Sequence, residues 1–293
     1  MYDMKALYEA FTVEEAVALR TVHPAAQIIA GGSDVLVQMR DGKRAGAELI
    51  SIHGIDALRG VSLEADGTLR IGSLTTFSHL AQSPLIQRCC AVLGEAVDQV
   101  GGPQIRNIGT IGGNTCNGVT SADSASTLFA WEAVVELTGP EGVRRIPIDQ
   151  FYIRAGVVDL RPGELQTAIL IPRESYADTY GFYTKYAMRS AMDIATLGCS
   201  VNVRLAAEGR TLERVRIAYG VAGPVPMRCP TAEKTAAGQP YSPELAERFA
   251  RAVLEDINPR DSWRAAKDFR QHIAVETARR GLEESVRRAG GAV

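Results

Sequence analysis

The chain has 293 residues, 46% of them hydrophobic and 23% charged, an ordinary globular composition with length for two moderate domains that each bury a core. Its formal net charge is −2, and scattered basic residues give no electrostatic footprint for nucleic-acid binding. The start, Met1-Tyr2-Asp3-Met4-Lys5, lacks the basic-then-apolar order of a signal peptide, and no apolar run nears the roughly 18 residues of a membrane span, so a cytoplasmic protein is expected.

In chain order, Thr12-Val13-Glu14-Glu15 fits a capping box that starts a helix with Ala16, Val17 and Leu19 on its apolar face. The opening therefore reads as helix, then a short buried strand at Gln27-Ile28-Ile29-Ala30, then a glycine turn at Gly31-Gly32. Ser33-Asp34 stand where helix caps belong, before Val35, Leu36 and Met39 at helical spacing. Strands are predicted at Leu49–Ile52 and Thr68–Ser73, and helices after Thr76 and from Pro84 to about Val100. The stretch 101–126 is rich in glycine and small polar residues and reads as a long ordered loop, pinned by Ile105, Ile108 and Ile111. A helix near Ala125–Trp131 follows, with strands near Val134–Leu137, Arg145–Pro147 and Gln166–Ile171. Pro172–Asp178 is polar and turn-rich, which places a domain boundary there, between 1–175 and 176–293. Beyond it come strands near Thr179–Ala187, Leu197–Leu205 and Arg214–Ala222. Helices are predicted from Ala232, over Pro243–Asp256 and over Ser262–Ala289, so the second part reads as an antiparallel sheet with helices on one face. Arg279, Arg280, Arg287 and Arg288 lie in the last helix beside Glu283 and Glu284 and read as a solvated face.

Five cysteines (Cys89, Cys90, Cys116, Cys199, Cys229) form no CxxC pair and are odd in number, which argues against a disulfide framework and against a zinc or iron–sulfur site on this chain. The vicinal pair Cys89-Cys90 reads as two half-buried helix cysteines.

Two glycine-rich segments carry the chemistry. In Ile28-Ile29-Ala30-Gly31-Gly32-Ser33-Asp34-Val35 a strand delivers two glycines to a helix start, where free N–H groups suit a pyrophosphate. It is neither GxGxxG nor GxxxxGK[ST], and a Gly-Gly turn before a helix is often merely structural. In Gln104 to Gly118, continuing to Ser121-Ala122-Asp123-Ser124, glycines alternate with Thr, Asn and Asp. That mixture suits ribityl hydroxyls, phosphate oxygens and ring edges, and equally suits a polar surface loop; composition leaves both readings open.

The two segments together, "IIAGGSDVL" and "IRNIGTIGGNTCNG…SAD" in this order, resemble the flavoprotein subunits of the xanthine dehydrogenase (molybdenum hydroxylase) family, most closely the bacterial xanthine dehydrogenase flavin subunits. Related subunits serve carbon monoxide, nicotinate and hydroxybenzoyl-CoA enzymes. The resemblance continues through "KYAMRSAMDIATLGCSVNVRL" and "SWRAAKDFR", covering nearly the whole chain. It implies an α+β architecture: a vanillyl-alcohol-oxidase-like FAD-binding domain of two α/β subdomains (about 1–55 and 56–175), then an α+β C-terminal domain (176–293). It also implies FAD on this chain, with the molybdenum cofactor on a large partner subunit and two iron–sulfur clusters on a small one, and NAD or another acceptor for the electrons.

By resemblance Gln27, Ile28, Ile29, Ala30, Gly31, Gly32, Ser33 and Asp34 would hold the FAD pyrophosphate and neighbouring ribose, largely through backbone N–H groups. Gly109, Thr110, Ile111, Gly112, Gly113 and Asn114 would meet the flavin and its phosphate tail. Asp123 and Leu165 match cofactor positions, and Lys185 would reach the cofactor from the C-terminal domain; a core leucine and a solvated strand lysine are the alternatives for the last two. Ser33 stands where threonine is common. The chain lacks the cysteines for the extra cluster some relatives carry, and Asp98-Gln99-Val100-Gly101 lacks the aromatic residue that vertebrate enzymes place over the flavin. The rivals are a self-sufficient flavin oxidase or dehydrogenase and a non-catalytic nucleotide-binding regulator. The first would need a base such as histidine near the loops, and His23, His53, His79 and His272 all lie outside them.

Overall fold

The computed structural model describes residues 3–293. The chain opens with β1 (Met4–Glu9), α1 (Val13–Val22), β2 (Gln27–Ile29), α2 (Val35–Arg40) and β3 (Ala47–Ser51), which form a parallel three-stranded sheet in the order β1-β3-β2. The predicted capping box starts α1: the Thr12 hydroxyl accepts from the Glu15 N–H at 3.1 Å, and the Glu15 carboxylate accepts from the N–H groups of Phe11 and Thr12. The sequence reading omitted β1. It is an edge strand with Met4 and Leu7 exposed, so its side chains show no buried alternation to read.

The second unit begins with β4 (Val61–Leu63) and β5 (Leu69–Gly72). A run of short helices follows: α3 (Phe77–Gln82), α4 (Pro84–Cys89), α5 (Ala91–Val97), α6 (Pro103–Ile108), α7 (Ile111–Cys116) and α8 (Asp123–Ala130). After them come β6 (Val134–Gly139), β7 (Gly142–Pro147), α9 (Ile148–Phe151), the small hairpin β8 (Tyr152–Arg154) and β9 (Val157–Val158), and β10 (Leu165–Ile171). Five of these strands form an antiparallel sheet in the order β4-β5-β10-β6-β7. Leu69, Ile71, Val135, Leu137, Ile169 and Ile171 pack beneath Phe77, Leu93, Phe129 and Trp131 of the helical layer, each fully buried aliphatic side chain contributing about 1.5–3 kcal/mol. The predicted helix from Pro84 breaks at Cys90. Both vicinal cysteines are buried outright rather than half-buried, and burial pushes the Cys90 thiol well above its ordinary pKa.

After α10 (Arg173–Tyr176), β11 (Tyr180–Tyr186), β12 (Leu197–Leu205), β13 (Leu212–Gly220) and β14 (Met227–Arg228) form an antiparallel sheet in sequence order. It is covered by α11 (Pro230–Ala236), α12 (Pro243–Asp256) and α13 (Lys267–Arg288). Alternation along β12 sends Leu197, Cys199, Val201 and Val203 into the core beneath Phe249, Ile273 and Leu282. Gly198 on the opposite face approaches the Ser126 hydroxyl of α8. The third sheet therefore packs helices on one face and the second unit on the other. The four arginines of α13 extend along a surface face laced with Glu276, Glu283, Glu284 and, from the second unit, Glu95.

A charge cluster also ties the second unit to the third. Glu132, just after α8, accepts from Arg214, from Arg216 at 2.9 Å and from Arg228 at 2.8 Å, and Arg228 also binds Glu233. Glu132→Gln leaves three neighbouring guanidiniums with one carboxylate fewer. We expect a loss of about 2 kcal/mol in urea denaturation, less than a fully buried pair because the site is partly solvated; an unchanged midpoint would show that the cluster is incidental to stability.

Candidate functional site

A cavity of about 390 Å³ lies between the first two units. Its floor is a backbone contact. A Cβ on Gly31 would overlap the Ile108 carbonyl oxygen and stand 2.7 Å from the Ile108 carbonyl carbon and 3.3 Å from the Gly109 nitrogen. No side chain fits there, so the Gly-Gly turn after β2 rests directly on the second glycine segment. Gly32 has φ +73°, the left-handed conformation that turns the chain into α2. The predicted cap at α2 is absent: Asp34 is in a right-handed helical conformation, and its carboxylate accepts from Gln38 rather than from the backbone. With six residues, α2 offers only a short dipole.

The second segment is not one long loop. It folds into α6 and α7, joined through Gly109 and Thr110, because Pro103 starts the first helix and Thr110 caps the next, its hydroxyl accepting from the Gly113 N–H at 3.1 Å. Backbone bonds fix this junction to the segment after β5: Phe77 N–H to Gly109 O (3.1 Å), Ile111 N–H to Thr75 O (3.0 Å) and Gly112 N–H to Ser73 O (2.9 Å). A Cβ on Gly112 would lie 2.5 Å from the Ser73 Cβ, so this glycine is required by close approach. Gly113 differs: a Cβ there would meet nothing within 4 Å except the Thr110 hydroxyl at 2.9 Å.

Of the residues singled out in the sequence, Gln27, Ile28, Ala30, Gly31, Gly32, Ser33 and Asp34 line the cavity from one side. Gly109, Thr110, Gly112, Gly113 and Asn114 line it from another, and Leu165 from β10. Ile29 and Ile111 are not among the lining residues; Ile111 is fully buried in the core of the second unit. Asp123 and Lys185 also lie outside the lining. They form a buried ion pair of their own, at 2.8 Å, with side-chain exposures of 7% and 8%, so Lys185 is not a solvated strand lysine. Lys185 also donates to the Gln99 carbonyl at 2.9 Å, and the Tyr183 hydroxyl donates to Asp123 at 2.7 Å. Burial raises the Asp123 carboxyl above its ordinary value, an effect that Lys185 and Tyr183 offset only in part. Asn114 links this cluster to the cavity by accepting from the Ser124 hydroxyl at 2.6 Å.

The structure adds lining residues that sequence reasoning missed: Arg20, Arg44, Ser73, Glu164 and Gln166 among them. No local signal marks them, since they come from a helix end, connecting segments and a strand. Leu165 and Gln166, though adjacent, both reach the cavity where the register of β10 on β6 shifts between Gln166 and Ala168. Gln166 Oε1 accepts from the Thr115 hydroxyl (2.8 Å) and the Cys116 thiol (2.9 Å), which leaves its Nε2 without a partner; the Ser73 hydroxyl has none either. Burial pushes the Cys116 thiol up to about 12, far from a reactive thiolate. Burial also opposes ionisation of Glu164, but the hydrogen bonds from Arg144 (2.6 and 2.8 Å) and from the Arg161 N–H outweigh it and hold the carboxyl below its ordinary value. Among the described residues, neither a histidine nor a tyrosine lines the cavity.

These walls fit a flavin dinucleotide. Side-chain-free glycines allow close approach, Gly113 leaves open space, and buried polar atoms of Ser73 and Gln166 await partners. Comparison with known proteins agrees. The family described as "FAD binding domain in molybdopterin dehydrogenase" matches residues 2–174, and "CO dehydrogenase flavoprotein C-terminal domain" matches residues 182–285. The xanthine dehydrogenase FAD-binding subunit of Escherichia coli O157:H7 is 40% identical over 291 residues, 99% of each chain. The carbon monoxide dehydrogenase medium chain of Hydrogenophaga pseudoflava is 31% identical over 272 residues, 92% of this chain and 93% of the relative. Among solved structures, carbon monoxide dehydrogenase from Hydrogenophaga pseudoflava superposes with a TM-score of 0.91 at 30% identity, covering 97% of this chain and 98% of that one. Quinoline 2-oxidoreductase from Pseudomonas putida 86 shares the fold, with a TM-score of 0.91 at 21% identity and 99% of each chain covered.

The Asp123–Lys185 pair gives a pH-dependent test. In Lys185→Met the carboxyl keeps its burial and loses its cation, so its folded pKa rises further above the unfolded value. The ionised form then destabilises the fold at neutral pH, and protonation removes that penalty. We expect a loss of about 3–5 kcal/mol at about pH 7 that narrows towards about pH 5, measured by urea denaturation at both values; a loss independent of pH would contradict the assignment.

Proposed function

The chain belongs to the FAD-binding subunits of the molybdenum hydroxylases, and from that premise we propose that it relays electrons within such an assembly. It receives them from iron–sulfur clusters on a small partner subunit and passes them to NAD, while a molybdenum-bearing large subunit hydroxylates a purine of the xanthine type or another N-heterocycle. The observation that carries the reading is the cavity between the two glycine segments, closed at its base by the Gly31–Ile108 contact.

In this reading bound FAD supplies the redox chemistry, taking up and releasing electrons singly or as hydride. The residues of the chain hold and orient it. The backbone from Gln27 to Asp34 takes the phosphate side, and Gly109 to Asn114, with Thr110 capping its own turn, face the ring and its tail. Leu165 supplies an apolar wall. Ile29 and Ile111 act as the apolar backing of the two segments. Asp123 and Lys185 stabilise the junction between the second unit and the C-terminal sheet, one residue shell from Asn114 through Ser124.

Among the described residues no histidine or tyrosine lines the cavity, and burial holds Cys116 protonated, which favours electron relay over a self-sufficient oxidase, which needs a proton acceptor beside its substrate. Similarity to the Escherichia coli subunit over 99% of each chain supports xanthine-like chemistry for the assembly. No helix among the described residues is long and apolar enough to cross a membrane, which is compatible with the expected cytoplasmic location.

Gly113→Asp places a charged side chain in open cavity space, where its only close neighbour is the Thr110 hydroxyl, which can rotate to make room. The variant should keep the melting temperature of the cofactor-free wild type and lose the visible flavin spectrum; retained FAD would remove the cavity from the reading. NADH added to the FAD-loaded chain under anaerobic conditions should bleach the flavin band. A band that persists in excess NADH would exclude NAD as the acceptor, and wild-type protein that takes up no FAD would overturn the whole reading.

A further inference from the structure

Two cations in the cavity have no carboxylate to balance them. Arg20, in the last turn of α1, donates from Nη1 to the Ala26 carbonyl at 3.2 Å, and its buried Nε has no partner. Arg44 donates from Nε to Gln38 Oε1 at 2.5 Å and from Nη1 to Gln27 Oε1 at 2.7 Å. Both line the cavity, and both are anchored at the start of β2, on the consecutive residues Ala26 and Gln27. Among the described residues, neither has an Asp or Glu oxygen within 4.0 Å.

Several other part-buried arginines of this chain are compensated. Arg70, Arg144 and Arg228 bind carboxylates. Arg270, which is 2% exposed and lacks a carboxylate, donates instead to the carbonyls of Thr196, Arg260 and Ala265 and to the Ser262 hydroxyl. Arg20 makes a single hydrogen bond, and burial pushes its guanidinium below the ordinary value.

A second observation points the same way. Gln166 is 2% exposed, and its acceptor oxygen is taken twice over, so the unpartnered Nε2 offers donors at the cavity wall. The Ser73 hydroxyl, on a residue 3% exposed, is likewise unpartnered there. The two carboxylates bordering the cavity do not cancel the arginines. Glu164 is held bidentate by Arg144, and Asp34 is exposed and bound to Gln38.

We propose that Arg20 and Arg44 neutralise the pyrophosphate of the dinucleotide, with Gln166 Nε2 and the Ser73 hydroxyl completing an anion-recognising wall, so that the cavity selects the diphosphate-bearing cofactor over phosphate-free riboflavin. This rests on the reading of the cavity as the FAD site. Backbone N–H groups of the glycine turn give direction but carry only partial charge, and the six-residue α2 adds little dipole. Full counter-charge for a dianion has to come from side chains, and guanidinium matches phosphate oxygens in geometry.

The test uses the full-length chain freed of cofactor, titrated with FAD and with riboflavin by flavin fluorescence at several salt concentrations. The proteins are wild type, Arg20→Gln, Arg44→Gln, the double variant and the two Arg→Lys variants. Each Gln substitution should weaken FAD binding about tenfold or more, leave riboflavin affinity unchanged and flatten the salt dependence, and the Lys variants should recover part of the loss. A double variant that binds FAD with the affinity and salt dependence of wild type overturns the proposal. So does an equal weakening of riboflavin, which would signal a general loss of packing. Wild type that binds neither flavin overturns the reading of the site instead. Circular dichroism checks folding; should Arg20→Gln not fold, Arg44→Gln, whose donors reach only glutamine side chains, decides the outcome.

Discussion

The contact on which the site depends is the approach of Gly31 to the carbonyl of Ile108. It joins two segments that belong to different sheets. The turn after β2 is carried by the parallel sheet of the first unit, whereas the α6–α7 junction is hydrogen-bonded to the segment after β5 in the antiparallel sheet of the second. Any side chain at position 31 would drive the two apart, and the cavity between them would lose its base. Gly112 against Ser73 repeats the constraint within the second unit. Both glycines are fixed by sterics and not by flexibility; Gly32, at φ +73°, is fixed by its backbone conformation.

The distribution of charge separates structural from binding roles. At the junction with the C-terminal sheet, Glu132 meets three arginines, and Asp123 meets Lys185 and Tyr183. These charges are satisfied within the chain, as buried ions must be. At the cavity the balance is incomplete: Arg20 has one hydrogen bond, and Gln166 and Ser73 keep free polar atoms. Other buried polar atoms of the chain also lack partners, among them Asn202 and Ser200, but Arg20, Gln166 and Ser73 stand together around one cavity, where a partner from outside the chain can meet them. The C-terminal sheet is built for the same junction. Its β12 sends an apolar face into its own core and turns Gly198 towards α8.

Much of this was legible in the sequence where a local rule acts alone. The Thr12 capping box and the bounds Pro243–Asp256 of α12 are as the residues predict, because caps and helix periodicity are set within a few residues. Elsewhere the local signal misled. β1 is hidden because an edge strand with exposed Met4 and Leu7 has no alternation. Residues 101–126 read as a loop because glycines and small polar residues dominate, yet Pro103 and the Thr110 cap are enough to start two short helices once the flanking backbone is bonded to residues 73–77. Ser33-Asp34 look like a cap, but Asp34 turns to Gln38 instead.

What the sequence determined by itself was the family, through the order and spacing of its two glycine segments. It also determined much of the alternation of strands and helices and half of the residues that face the cavity, because glycines and caps leave their mark within a few positions. Only the tertiary structure decided that Ile111 is core, that Asp123 and Lys185 pair with each other away from the cavity, and that Arg20, Arg44, Ser73 and Gln166 converge on it. Those outcomes depend on which surfaces pack and which charges find partners across long stretches of chain. Packing and pairing at that range follow from the folded arrangement, and no short window of residues encodes them.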